Sequence, residues 1–179
     1  DQVKNSGRYQ AKWIGCDATF GSDHNFLDAL PEDLYYFAHI RSVCQVFTRK
    51  PKIGVPEYKG RGHHPKKMKL LPDQPKPRKV SEIAQSSKLY WMPVILAEGS
   101  KGPITAEVAR VRVYLSRDGL PVGKERWLFM RKNADGQIQY ALSNAPRRIK
   151  FSELVKASTM RWPIEQCFQD GKSYLGMGN

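Results

Sequence analysis

The sequence predicts an α/β fold carrying a mainly antiparallel β insertion, and three observations predict it. A strand, a short helix and a second strand follow one another near the start. Four alternating or β-rich runs separated by turn signals fill the middle. Helical periodicity closes the chain.

The first strand is expected in "KWIGCDATFG", where Trp13, Ile14 and Cys16 form a short buried run that Asp17 and then Gly21 stop. Asp17 therefore ends the strand. "DHNFLDAL" fits a short helix capped by Asp23, with Phe26, Leu27 and Leu30 on one side. "LYYFAHI" is aromatic and strand-like. In such α/β units ligands gather at the carboxyl ends of the strands. From Pro51 to Lys79 the composition turns to Pro, Gly, Lys and Arg, which cannot bury enough apolar area to offset its ordering entropy, so an irregular, mobile basic loop is expected. "KLYWMPVILAEG", "AEVARVRVYLSRDG", "ERWLFMRKNADG" and "QIQYALSNAP" then read as strands of a small antiparallel sheet, punctuated at Asp118-Gly119 and Asp135-Gly136. "FSELVKAS" and "RWPIEQCFQDGKSYLGM" read as helical, with Pro163 opening or kinking the second.

Length and charge bound what such a chain does. At 179 residues it suits one domain, or one domain with a large insertion. Thirty basic against seventeen acidic residues give a net charge of +13, which favours a polyanionic partner, nucleic acid ahead of membrane. No run approaches the roughly 20 apolar residues of a membrane span and no signal peptide is visible, so a cytoplasmic location with no membrane partner is expected. Cys16, Cys44 and Cys167 are widely spaced and suggest neither a disulfide framework nor a zinc motif. His63 and His64 in "GRGHHPKK" have no ligand-spaced cysteine and are expected in a solvated loop. The polar opening "DQVKNSGRYQ" lacks an initiating Met, and the chain is expected to be a segment of a longer protein.

Two acids stand out. On a helix, Arg161, Glu165, Phe168 and Lys172 fall at i, i+4, i+7 and i+11, within a stripe roughly 60° wide, beside the apolar positions Ile164, Cys167 and Leu175. Glu165 is thus set between two cations at the border of a buried face. Asp17 at a strand end is also an ordinary helix cap, and Glu165 an ordinary ion pair with Arg161. Taken together with the basic charge, the two suit carboxylates that hold divalent metals for phosphoryl transfer.

"WIGCDATFG", "ERWLFMRK", "YALSNAP" and "MRWPIEQCFQDGKSYLGM" resemble the DDE transposases of bacterial insertion sequences. The closing stretch fits a Tyr-x2-Arg-x3-Glu-x6-Lys signature at Arg161, Glu165 and Lys172; Ser158 stands at the Tyr position. The resemblance implies a partial ribonuclease H-like core divided into 1–46, an insertion over 47–146, and a C-terminal catalytic helix in 147–179. It implies that Asp17 and Glu165 are catalytic and bind metal, two Mg²⁺ (or Mn²⁺) ions in the intact enzyme. Arg161 and Lys172 would hold phosphates of the transposon end, and Trp127 would stack on a displaced base, unless it is a core aromatic of an apolar strand. The partners implied are transposon-end and target DNA, with a homodimer as the active complex. The family's first Asp lies on an upstream strand; Asp1 sits in polar sequence and is a poor substitute, so this segment is not expected to cleave DNA alone. A catalytically inactive remnant that only binds nucleic acid is the alternative function, and a basic RNA-binding protein a third.

Overall fold

The computed structural model describes residues 11–58, 60, 62–99 and 102–160. Strand β1 (Trp13–Cys16) leads through helices α1 (Ala18–Gly21) and α2 (His24–Ala29) into β2 (Tyr35–Ile40). β1 and β2 pair in parallel, Trp13 opposite Tyr35 and Cys16 opposite Ala38. Both helices begin on an aspartate: Asp17 caps α1, and Asp23 accepts from the amides of Asn25 and Phe26 to cap α2. These side chains satisfy amides that a helix start otherwise leaves unpaired.

Next come β3 (Gln45–Phe47), β4 (Ile53–Gly54), β5 (Lys69–Leu70), β6 (Arg78–Lys79) and helix α3 (Val80–Ala84). β7 (Met92–Gly99), β8 (Gly102–Arg117), β9 (Leu120–Asn133) and β10 (Ile138–Ser143) form successive antiparallel pairs, and α4 (Phe151–Ser158) follows. Asp118 and Gly119 both take positive φ in the two-residue turn between β8 and β9, the geometry that matches the twist of the flanking strands. Gly136, at φ 79°, closes the β9–β10 turn by donating to the Asn133 carbonyl at 2.9 Å.

The antiparallel strands do not form a separate sheet, as the sequence had suggested. β10 pairs with β2, so a single eight-stranded sheet runs β1-β2-β10-β9-β8-β3-β6, with β7 on β8. The physical reason lies in β2, four of whose six residues are buried. A strand with both faces covered needs a hydrogen-bonding neighbour on each edge. Successive residues alternate between two cores: Tyr36, Ala38, Leu128, Met130 and Leu142 share one with α2 and α3, while Phe37, Phe129 and Ala141 share the other with α4. This two-sided burial is why "YYFAHI" and "WLFM" read as continuous apolar runs.

The basic segment from Pro51 to Lys79 is mostly irregular, but it contains three short strands the sequence did not suggest. β4 and β5 pair as a two-stranded ribbon, Ile53 opposite Leu70 and Gly54 opposite Lys69. β6 returns the chain to the edge of β3. No helix among the described residues is long and apolar enough to cross a membrane.

Candidate functional site

Asp17 sits where β1 ends and α1 begins. Its Oδ1 accepts from the Thr19 and Phe20 amides at 3.0 and 3.1 Å, and Oδ2 makes no hydrogen bond among the described residues. Because β1 is parallel to β2, this places a half-capped carboxylate at the carboxyl end of a parallel strand, the position where open α/β sheets present ligand-binding groups. An open cleft of about 400 Å³ adjoins it, lined by Ile14, Gly15, Cys16, Asp17, Phe20 and Phe26. Asp17 is the one charged side chain on that lining. Phe20 is 51% exposed and packs on Phe26 with ring centres 5.1 Å apart.

The close seat of α1 on the sheet positions this carboxylate. Gly21 is buried, and a Cβ built there would lie 1.8 Å from the backbone oxygen of His39 on β2. Only glycine lets the helix approach so closely. The Gly21 amide also returns to the Asp17 carbonyl at 2.8 Å, closing the turn.

Asp17 fits a divalent cation to the extent of one hard oxygen donor with a free lone-pair face. Among the described residues no group of three or more His, Cys, Asp or Glu is gathered for a metal. Glu165, Arg161 and Lys172 lie outside the described residues, so only one member of the expected site is placed. Ser158, at the signature's Tyr position, is buried at the end of α4, where its Oγ donates to the Val155 carbonyl at 2.6 Å.

Trp127 occupies the opposite face of the sheet, under the connection from β10 to α4. It is 9% exposed, and its Nε1 donates to the Pro146 carbonyl at 3.1 Å. The guanidinium carbons of Arg110 and Arg112 lie 4.6 and 4.8 Å from its ring centre. Arg112 is itself fixed by Glu125, whose Oε2 accepts from its Nε at 2.9 Å, and Arg110 donates to the Ile149 carbonyl at 3.3 Å. Burial draws the Arg110 guanidinium below its ordinary pKa. In this arrangement the indole is a largely buried packing element whose ring is shared with two cations.

The ribbon β4–β5 and the segment that joins its strands carry exposed lysines. Lys52, Lys66, Lys67 and Lys69 are exposed, and none makes an ion pair among the described residues. The composition of "PKKMKLL" signalled charge, but its pairing with "KIG" depends on contacts that composition does not encode. No family model matches the chain, and no curated protein or solved structure is significantly similar to it.

Proposed function

We propose that the chain is a catalytic-core segment of a DNA transposase that cuts and joins DNA by metal-dependent phosphoryl transfer. The observation that carries the reading is the placement of Asp17, with one oxygen free, at the carboxyl end of the parallel pair β1–β2. The Arg161, Glu165, Lys172 spacing and the +13 charge support it from the sequence. A ribonuclease H-like core belongs to the same proposal, as do two Mg²⁺ or Mn²⁺ ions, transposon-end and target DNA, and a homodimer as the acting form.

Asp17 and Glu165 would hold the metal. Divalent ions held by these carboxylates would supply Lewis acidity for phosphoryl transfer. Arg161 would fix a phosphate through its planar fork and Lys172 another as a point charge. The cap at Thr19 and Phe20 holds Asp17 in one rotamer, so that its free oxygen needs no reordering on binding. The second reading, a DNA-binding remnant without activity, is favoured by one observation: Ser158 replaces the signature Tyr and is buried.

Mn²⁺ titration followed by electron paramagnetic resonance tests the proposal. Bound Mn²⁺ that Asp17→Asn and Glu165→Gln each weaken is expected, because Asn keeps the cap while removing the charge. Binding untouched by both substitutions overturns the metal assignment.

A further inference from the structure

We infer that the ribbon β4–β5 is a second DNA-contacting element, a two-stranded β wedge that enters the major groove of duplex DNA and holds its backbone through lysines. The inference rests on the preceding section only for the choice of DNA as the polyanion.

Charge distribution is the first observation. Residues 51–79 contain nine of the thirty basic residues and two of the seventeen acids. Outside this segment, among the described residues, Lys12 meets Glu153, Lys124 meets Glu32 and Lys132 meets Glu107, while Lys50, Lys88, Lys150 and Lys156 make no ion pair. On the ribbon and in the segment leading into β5, Lys52, Lys66, Lys67 and Lys69 likewise make no ion pair among the described residues, and here no excess of acid lies nearby in sequence. Unneutralised cations at this density are the electrostatic footprint of a polyanion site, since each phosphate contact releases condensed counterions.

Shape is the second. Gly54 lies opposite Lys69, and the Leu71 amide donates to the Lys52 carbonyl at 3.1 Å, which extends the register by one pair. Side chains alternate across such a pair. Lys52 and Lys69 therefore share one face with Leu71, whose side chain packs over Gly54. Ile53 and Leu70 take the other face. The major groove, about 12 Å wide, admits a two-stranded ribbon of this kind.

Anchoring is the third. The ribbon is tied to the sheet on both sides, by β3 before it and by β6 returning beside β3. Pro51 at its base is buried, and the Lys52 amide donates to Gln74 Oε1 at 2.9 Å. At the far end Tyr58 stacks on His64 with ring centres 3.8 Å apart. Lys52 and Lys69 are thus presented on a built element, with Lys66 and Lys67 in the irregular segment just before β5.

The test uses fluorescence anisotropy of a labelled duplex against the full chain. One variant carries Lys52→Gln, Lys66→Gln, Lys67→Gln and Lys69→Gln. A control neutralises four exposed cations elsewhere, Lys88→Gln, Arg148→Gln, Lys150→Gln and Lys156→Gln. All eight positions are exposed, so circular dichroism should be unchanged for both. The ribbon variant should lose about tenfold or more in affinity at low salt, and its slope of log K against log salt should flatten by about 2 to 4, against less than about 1 for the control. The major-groove dye methyl green should displace the wild-type chain. Equal losses from the two variants, or displacement only by the minor-groove ligand netropsin, would overturn the inference. So would wild-type binding to phosphatidylserine vesicles with none to duplex DNA. The Mn²⁺ titration at Asp17 and Glu165 reads the transposase proposal separately, and the ribbon substitutions should leave it unmoved.

Discussion

Asn144, at the end of β10, accepts a hydrogen bond from the Tyr36 amide at 2.8 Å and returns one to the Leu34 carbonyl at 3.0 Å. One side chain thereby serves as a missing rung between the start of β2 and the end of β10. Asn144→Ala would leave a part-buried amide and carbonyl without partners, and about 1 to 3 kcal/mol of stability should be lost. Asn144→Asp keeps the acceptor but not the donor and should fall between. Urea unfolding of the three proteins at one pH measures the order.

Gly21 gives a sharper effect from a smaller change. The 1.8 Å approach of a built Cβ to the His39 backbone oxygen cannot be relieved by rotating a side chain. Gly21→Ala should displace α1 and cost at least about 1 to 3 kcal/mol, as overpacking does. If thermal unfolding is unchanged, the close seat of α1 on β2 is incorrect.

Trp127 should behave as a core residue on unfolding. Trp127→Ala removes a buried ring held by Pro146 and two arginines, and should cost about 3 to 5 kcal/mol. Trp127→Phe keeps an aromatic face for Arg110 and Arg112 and should lose distinctly less. Chemical denaturation of both variants checks the ranking.

Tyr36 links stability to alkaline pH. Burial raises its pKa above the ordinary value of 10.0, more than the neighbouring Arg126, which donates to its hydroxyl at 2.8 Å, lowers it. The neutral phenol is therefore preferred in the folded state. Its contribution is complete below about pH 10 and is lost as pH rises from there through the raised folded value. Tyr36→Phe removes this dependence. Unfolding midpoints measured on both sides of pH 10 should decline more steeply for wild type than for the variant.

Local signals in the sequence carried most of the local structure. Asp23 before "HNFLDA" named a cap, and the cap is there; the glycines after Asp118 and Asp135 marked turns that require positive φ, and both turns form. Asp17 was legible as a strand end because Trp13, Ile14 and Cys16 precede it. Partner choice between strands was not legible. Nothing in "YALS" specifies β2 as its neighbour in place of an edge of its own, because a strand buried on both faces advertises burial and not pairing. The same limit hid β3, a three-residue strand, and the ribbon, whose two residues a side are too short for any periodicity. Trp127 carried both readings in sequence, since an aromatic in an apolar strand looks the same whether it faces a helix or a base.

The pairing of β2 with β10 sets an order on the ribosome. The amide of Tyr36 and the side chain that receives it are 108 positions apart, so β2 emerges long before its central neighbour exists. Contacts of such separation form slowly, because loop closure must be completed before they stabilise anything. During synthesis "YYFAHI" would therefore wait with one edge and two apolar faces open, a short β-rich stretch without charge of its own. The lysine-rich segment that follows is in place earlier than the strands that finally cover β2, and its charge would hold nascent copies apart in the interval.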